Sequence, residues 1–263
     1  MKKELEYMKA GFFITMKKIS EYKANTYSAL LAQIFYYITQ ILILYIISDN
    51  FGDVIGWNFY DFIFFFLLFD LVETIAGFFI WGIDSFRKVI QRGELNAYLN
   101  KPINRFIAYN FRIFSAGGTP MLFIGLLAFI FAIIFLDIKL YNIFFGIIIA
   151  TLIIIFQIFN RKFAESINFW NFGIAMIFRR LIFEGQMLSV NYPADFFKSK
   201  IIRTAFSIVP LFFISSLLLP TLRNKEVWSL ELQLILLISL NLFFIIITFV
   251  NWHYGLKKYE AYG

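Results

Sequence analysis

The sequence predicts an all-α polytopic membrane protein of six transmembrane helices with both termini in the cytoplasm. Three observations predict it. The 263 residues are 60% hydrophobic and only 16% charged, with a mean hydropathy of +0.75, whereas a soluble domain is roughly half apolar. The apolar residues fall in blocks of about 20, the length an α-helix needs to cross about 30 Å of hydrocarbon. Lys and Arg gather in particular connecting segments and are missing from others, the asymmetry that orients a membrane protein. Runs such as FIFFFLLF and IIIATLIIIF do not alternate, which excludes a transmembrane β-barrel.

The elements follow in order. Leu5, Met8, Phe12, Met16 and Ile19 recur at helical spacing among lysines within residues 1–26, the pattern of an amphipathic helix on the inner leaflet. The first apolar run is of spanning length, with no small-residue cleavage site after it, so it is no cleavable signal. Spans are predicted at 27–48 and 59–82, joined by a loop, 49–58, without a single base. The segment 83–112 carries Arg87, Lys88, Arg92, Lys101, Arg105 and Arg112, which puts it in the cytoplasm with the lysine-rich start of the chain. Spans at 112–136 and 141–160 follow, with Arg161 and Lys162 marking the inside again. The fifth span is either 165–188, apolar but containing Arg179, Arg180 and Glu184, or 201–222, cleaner but interrupted by Pro210. Hydropathy and charge alone favour the second. The last span is 231–252, and Lys257 and Lys258 return the tail to the cytoplasm. No repeat or second domain is visible.

Several function classes are excluded. There is no cysteine and one histidine, His253, so thiol chemistry and the usual zinc sites are out. None of the 14 glycines precedes a lysine, so no phosphate-binding loop exists and ATP must be used by a partner. HExxH, CxxC and GxSxG are missing too, against a membrane protease or hydrolase. The net charge of +7 reads as a topology signal, not a nucleic-acid patch.

Three groups of residues invite a function. Between Gly93, suited to end a helix in the left-handed conformation, and Pro102, which stops one, Glu94–Asn100 forms a short helix. Leu95, Tyr98 and Leu99 give it an apolar patch, fit for a groove on another protein or for lipid. Asp70 and Glu73 lie near the middle of the second span, where carboxylates are costly unless paired, protonated or facing a cavity. If 165–188 spans the membrane, Arg179 lies about 21 Å from its inner end and Asp70 about 18 Å from Gly82, at 1.5 Å per residue, so Asp70 and Glu73 could pair with Arg179 and Arg180. Gly117, Gly118 and Pro120 in SAGGTP predict a hinge or a close helix contact in the third span.

Together these segments resemble the permease subunit of an ATP-binding-cassette type-2 exporter, in its small six-span form. EYKANTY, GELNAYLNKPI, NYPADFFKSKIIRTAFSIVPLFFISSLLLP and WHYGLKKYEAYG carry the likeness, by their order over the whole chain. The resemblance implies that the amphipathic start is a connecting helix. It implies that Gly93 to Pro102 is a coupling helix whose Gly93, Glu94, Leu95, Tyr98, Leu99 and Pro102 meet a cytoplasmic ABC ATPase dimer. It implies 165–188 as the fifth span and a re-entrant hairpin over 190–222, although Lys198, Lys200 and Arg203 then lie outside. A second permease subunit, ATP and Mg on the ATPase and no cofactor on this chain are likewise implied. The competing readings are a proton-coupled secondary transporter using Asp70 and Glu73, and a non-transporting scaffold.

Overall fold

The first helix of the computed structural model, α1 (Lys2–Glu21), turns Gly11 and Thr15 toward the rest of the protein and leaves Leu5, Phe12, Phe13 and Ile14 exposed. Its small side is therefore its packing side. The structure describes residues 2–80, 86–112, 114–115, 119–136, 138–225 and 230–259. Tyr22 breaks the helix with a non-helical backbone (φ −97°, ψ 55°), and α2 (Lys23–Ile55) ends at Gly56, which takes φ 70°. That overruns the predicted span by about two turns. In α3 (Phe59–Ile80), Asn58 and Asp61 form a reciprocal N-terminal cap: the Asn58 side-chain Oδ1 accepts from the Asp61 backbone N–H at 2.9 Å and the Asp61 carboxylate accepts from the Asn58 backbone N–H at 3.2 Å, satisfying donors the helix cannot.

Three short helices follow, α4 (Phe86–Gln91), α5 (Asn96–Leu99) and α6 (Arg105–Asn110). The expected helix over 94–100 is shortened to the four residues of α5, because Arg92–Leu95 is spent on the turn that Gly93 makes. The third membrane-depth helix, α7 (Thr119–Phe135), starts later than predicted. Pro120 is the second residue of its described part. The other two residues of the expected hinge, Gly117 and Gly118, lie outside the described residues. Next come α8 (Leu140–Ser166), a 3-10 turn over Ile167–Phe169, and α9 (Phe172–Asn191). The remainder is α10 (Lys200–Phe206), a π turn over Ile214–Leu218 leading into α11 (Leu219–Leu222), and α12 (Leu230–Lys258).

Among the described residues, Lys23–Asn50, Phe59–Ile80, Leu140–Phe169 and Leu230–Lys258 are long and apolar enough to cross a membrane. Six spans were expected. The apolar part of α7, Leu122–Phe135, is too short, and α9 carries Arg179, Arg180 and Glu184 within its 20 residues. The bundle is built around α3, 67% of whose apolar window is buried, against 11% for α2. Its inward residues, among them Phe62, Phe64, Leu68 and Val72, share a core with Ile153 and Phe156 of α8 and Leu211–Leu222. Helices α8 and α12 are tied by polar contacts, Asn241 to the Leu152 carbonyl at 3.1 Å and Thr248 to the Phe159 carbonyl at 3.3 Å.

Of the two candidates for the fifth span, 172–191 is one unbroken helix while 201–222 is in pieces. The broken segment runs in and back. Asp195 accepts from the Trp57 indole at 2.8 Å at one end of the bundle, Ile208 accepts from Asn160 at 3.4 Å far along α8, and Leu222 accepts from Asn142 at 3.5 Å back near the start of α8. Three of the bases there face acids: Arg203 lies 3.6 Å from Asp195, and Arg223 and Lys225 lie 3.0 and 2.9 Å from Asp61.

Candidate functional site

At the end of the bundle opposite Trp57 and Asp61, the segment 86–112 folds into a knob of aromatic side chains. Its geometry begins with Gly93. At φ 68° it closes α4 with the two hydrogen bonds of a left-handed helix stop, Gly93 N–H to Ile90 C=O and Glu94 N–H to Val89 C=O, both 3.1 Å. The chain reverses there, and Leu95 is carried inward to 0% exposure among Phe86, Val89, Ile90, Phe106, Tyr109 and Trp252. This corrects the expectation that Leu95 is a contact offered to another protein. Tyr98 and Leu99 pack on the same cluster, since burying them there removes apolar area from water within this chain. Glu94, Asn96, Ala97, Asn100 and Pro102 form the exposed edge.

The knob is fastened to α12, to α1 and, through Phe86 against Phe169, to the 3-10 turn. Trp252 of α12 stacks on Phe86 at 5.2 Å and on Tyr109 at 5.6 Å, and meets Phe169 edge-on at 5.2 Å. Lys101 donates to the Tyr7 hydroxyl of α1 at 3.0 Å, and that hydroxyl donates to the Ala108 carbonyl at 2.9 Å. The Arg112 guanidinium lies 4.2 Å from the Tyr109 ring centre and 4.8 Å from that of Tyr98, within cation–π range. Burial pushes the Tyr109 phenol above its ordinary pKa. Gly11 of α1 approaches so closely that a Cβ there would sit 2.9 Å from the Phe111 carbonyl oxygen.

The second assembly is a polar cluster inside the bundle. Glu73 of α3 accepts from Arg161 at 2.6 Å and from Gln157 at 2.7 Å, both on α8, and Arg161 also donates to Gln186 of α9 at 2.7 Å. One guanidinium thereby joins three helices. The expected pairing with Arg179 and Arg180 is not what forms. Arg180 faces Glu184 at 3.7 Å on an exposed surface, and Arg179 lines a shallow cavity with Arg87 and Lys88 at the knob end. α8 continues to Ser166, which leaves Arg161 inside the helix within reach of Glu73, while α9 begins only at Phe172 and lets a long Arg179 reach the surface. Asp70 accepts from the Tyr37 hydroxyl of α2. No group of three or more His, Cys, Asp or Glu suited to a metal occurs among the described residues.

The two expected groups are thus each placed, but their partners differ. Sequence reasoning missed Arg161, Gln157, Gln186, Tyr7, Lys101 and Trp252. Arg161 could have been found by extending the fourth helix to the next break, Asn168–Asn171; nothing local marks Tyr7 or Trp252 as partners of a loop some 90 or more residues away.

Comparison with known proteins adds one match. The profile of the family described as ABC-2 family transporter protein matches residues 34–263, which takes in both assemblies and leaves α1 outside. No curated protein and no solved structure matches the chain.

Proposed function

Because this chain belongs to the ABC-2 family of transporter membrane proteins, and is therefore an integral membrane component of such a transporter, we propose that it is the permease subunit of an ATP-driven exporter. A separate cytoplasmic ATPase dimer binds ATP and Mg and hydrolyses the nucleotide, and a second permease subunit completes the complex. In this reading α2, α3, α7, α8, α9 and α12 are the six spans, both termini are cytoplasmic and 190–222 enters and leaves from the outer side. The knob end then carries Arg87, Lys88, Arg92, Lys101, Arg105, Lys257 and Lys258, in accord with the positive-inside rule. At the outer end Arg203 faces Asp195, and Arg223 and Lys225 share Asp61, while Lys198 and Lys200 also fall there, against the charge rule.

The observation that carries the reading is the knob: a short helix with a polar exposed edge, held from behind by an aromatic cluster shared with α4, α6 and α12. The ATPase takes hold of the exposed edge. Leu95, Tyr98 and Leu99 are the root of the lever, passing the displacement to Trp252 and so to α12, while Lys101 passes it to α1. ATP shifts the permease only to the extent that it favours the closed ATPase.

The test uses the tagged full chain extracted from its own membranes. Wild type is expected to bring down an ATPase activity, and the double variant Glu94→Arg, Ala97→Glu is expected to lose it with thermal stability unchanged. An eluate without ATPase, or one equally active with the double variant, defeats the proposal.

A further inference from the structure

A groove of about 380 Å³ runs between α2, α3 and α7, lined by Tyr37, Ile41, Tyr60, Phe64, Phe131 and Phe135 among others. Its volume is within the usual range for small-molecule sites. Tyr60, Phe131 and Phe135 are exposed, so the groove is open along its length to whatever surrounds the bundle. Every residue lining it is aromatic or aliphatic, and a polar group stands directly behind one of them. Tyr37 lines the groove and donates its hydroxyl to Asp70, which follows the lining residues Phe66 and Leu67 by one turn of α3. One turn before Tyr37 stands Gln33, 4% exposed, its side-chain amide beside the Tyr37 hydroxyl. The third wall leaves room for this polar group: at Gly125 of α7 an added Cβ would lie 3.5 Å from the Tyr37 hydroxyl and 3.7 Å from Asp70. All three helices therefore converge on one carboxylate.

That carboxylate has no Lys or Arg within ion-pairing distance among the described residues, the arginine nearest in depth being engaged by Glu73. An acid at this depth without a cation is costly. Aromatic faces attract cations as well as apolar surface. We propose that this groove binds a hydrophobic organic cation, its apolar bulk against the rings and its positive charge at Asp70. A neutral acyl chain would fill the groove but leave the acid unmatched, and an anion would be repelled. That this cation is also the transported cargo rests on the permease reading above; that it binds does not.

The experiment measures binding of tetraphenylphosphonium and of its anionic counterpart tetraphenylborate to the purified full chain in lipid nanodiscs, with uptake by empty discs subtracted. The phosphonium is expected to bind saturably and at least tenfold tighter than the borate. Asp70→Asn is expected to weaken the phosphonium at least tenfold. Ala128→Trp, which narrows the groove at one of its lining residues, is expected to abolish saturable binding and keeps the proposal testable if the Asp70 variant fails to fold. Equal binding of the two ions, no saturable phosphonium binding, or wild-type affinity in either folded variant overturns it. No ATPase enters this assay, so a negative result here leaves the permease reading standing, and loss of that reading leaves the binding result standing.

Discussion

Replacing Arg161 by methionine keeps the length of the side chain and deletes the charge that Glu73 faces at 2.6 Å. Breaking a buried ion pair by removing one partner costs about 3–5 kcal/mol. Both side chains here retain 18% exposure, so the low end, about 3 kcal/mol, is the expected loss. Gln157 still donates to Glu73, which limits it further from above. Pairing Arg161→Met with Glu73→Gln removes both charges and should recover all but about 1 kcal/mol, because the desolvation of a lone acid is then avoided. The assay is equilibrium unfolding of the purified chain in mixed micelles, followed by tryptophan fluorescence. Arg180→Met provides the contrast: its partner Glu184 lies on an exposed surface, and the change should stay within about 0.5 kcal/mol. If Arg161→Met is as mild as Arg180→Met and shows no coupling to Glu73→Gln, the assignment of the intramembrane pair is wrong.

Three further outcomes are expected. Leu95→Ala, at a fully buried position of the knob, should cost about 2–5 kcal/mol in the same unfolding assay, whereas Asn96→Ala, on the exposed edge, should leave the midpoint unchanged; equal effects would mean the knob packs differently. Gly255→Ala places a Cβ 2.3 Å from the Phe169 ring and should destabilise by about 1–3 kcal/mol, read as a lowered melting temperature. Asp61→Asn weakens the hold on Arg223 and Lys225, which it accepts at 3.0 and 2.9 Å, and should speed trypsin cleavage after those two bases in intact nanodiscs; an unchanged digestion rate argues against that clasp.

The four long apolar helices were legible because hydrophobic length is a local property. Gly93 and Pro102 announced the short helix between them, since each constrains the backbone by itself. The partner of Glu73 was not legible, because choosing among Arg161, Arg179 and Arg180 depends on where α8 ends and α9 begins, a shift of a few residues that hydropathy does not resolve. The direction of Leu95 failed for a related reason. An apolar triplet at helical spacing says that a face will be covered, and only the packing of Phe86, Tyr109 and Trp252 decides by what.

Trp252 also sets an order of events during biosynthesis. The residues it covers, Phe86, Phe106 and Tyr109, leave the ribosome more than half a chain length earlier, and at ordinary elongation rates the wait is on the order of ten seconds. Throughout that interval the knob has no lid. The newborn chain must shelter these rings by other means, in the headgroup layer or against a chaperone, until α12 threads into place. A nascent chain stalled before residue 252 should therefore be a substrate for quality control, even with most of its membrane helices already inserted.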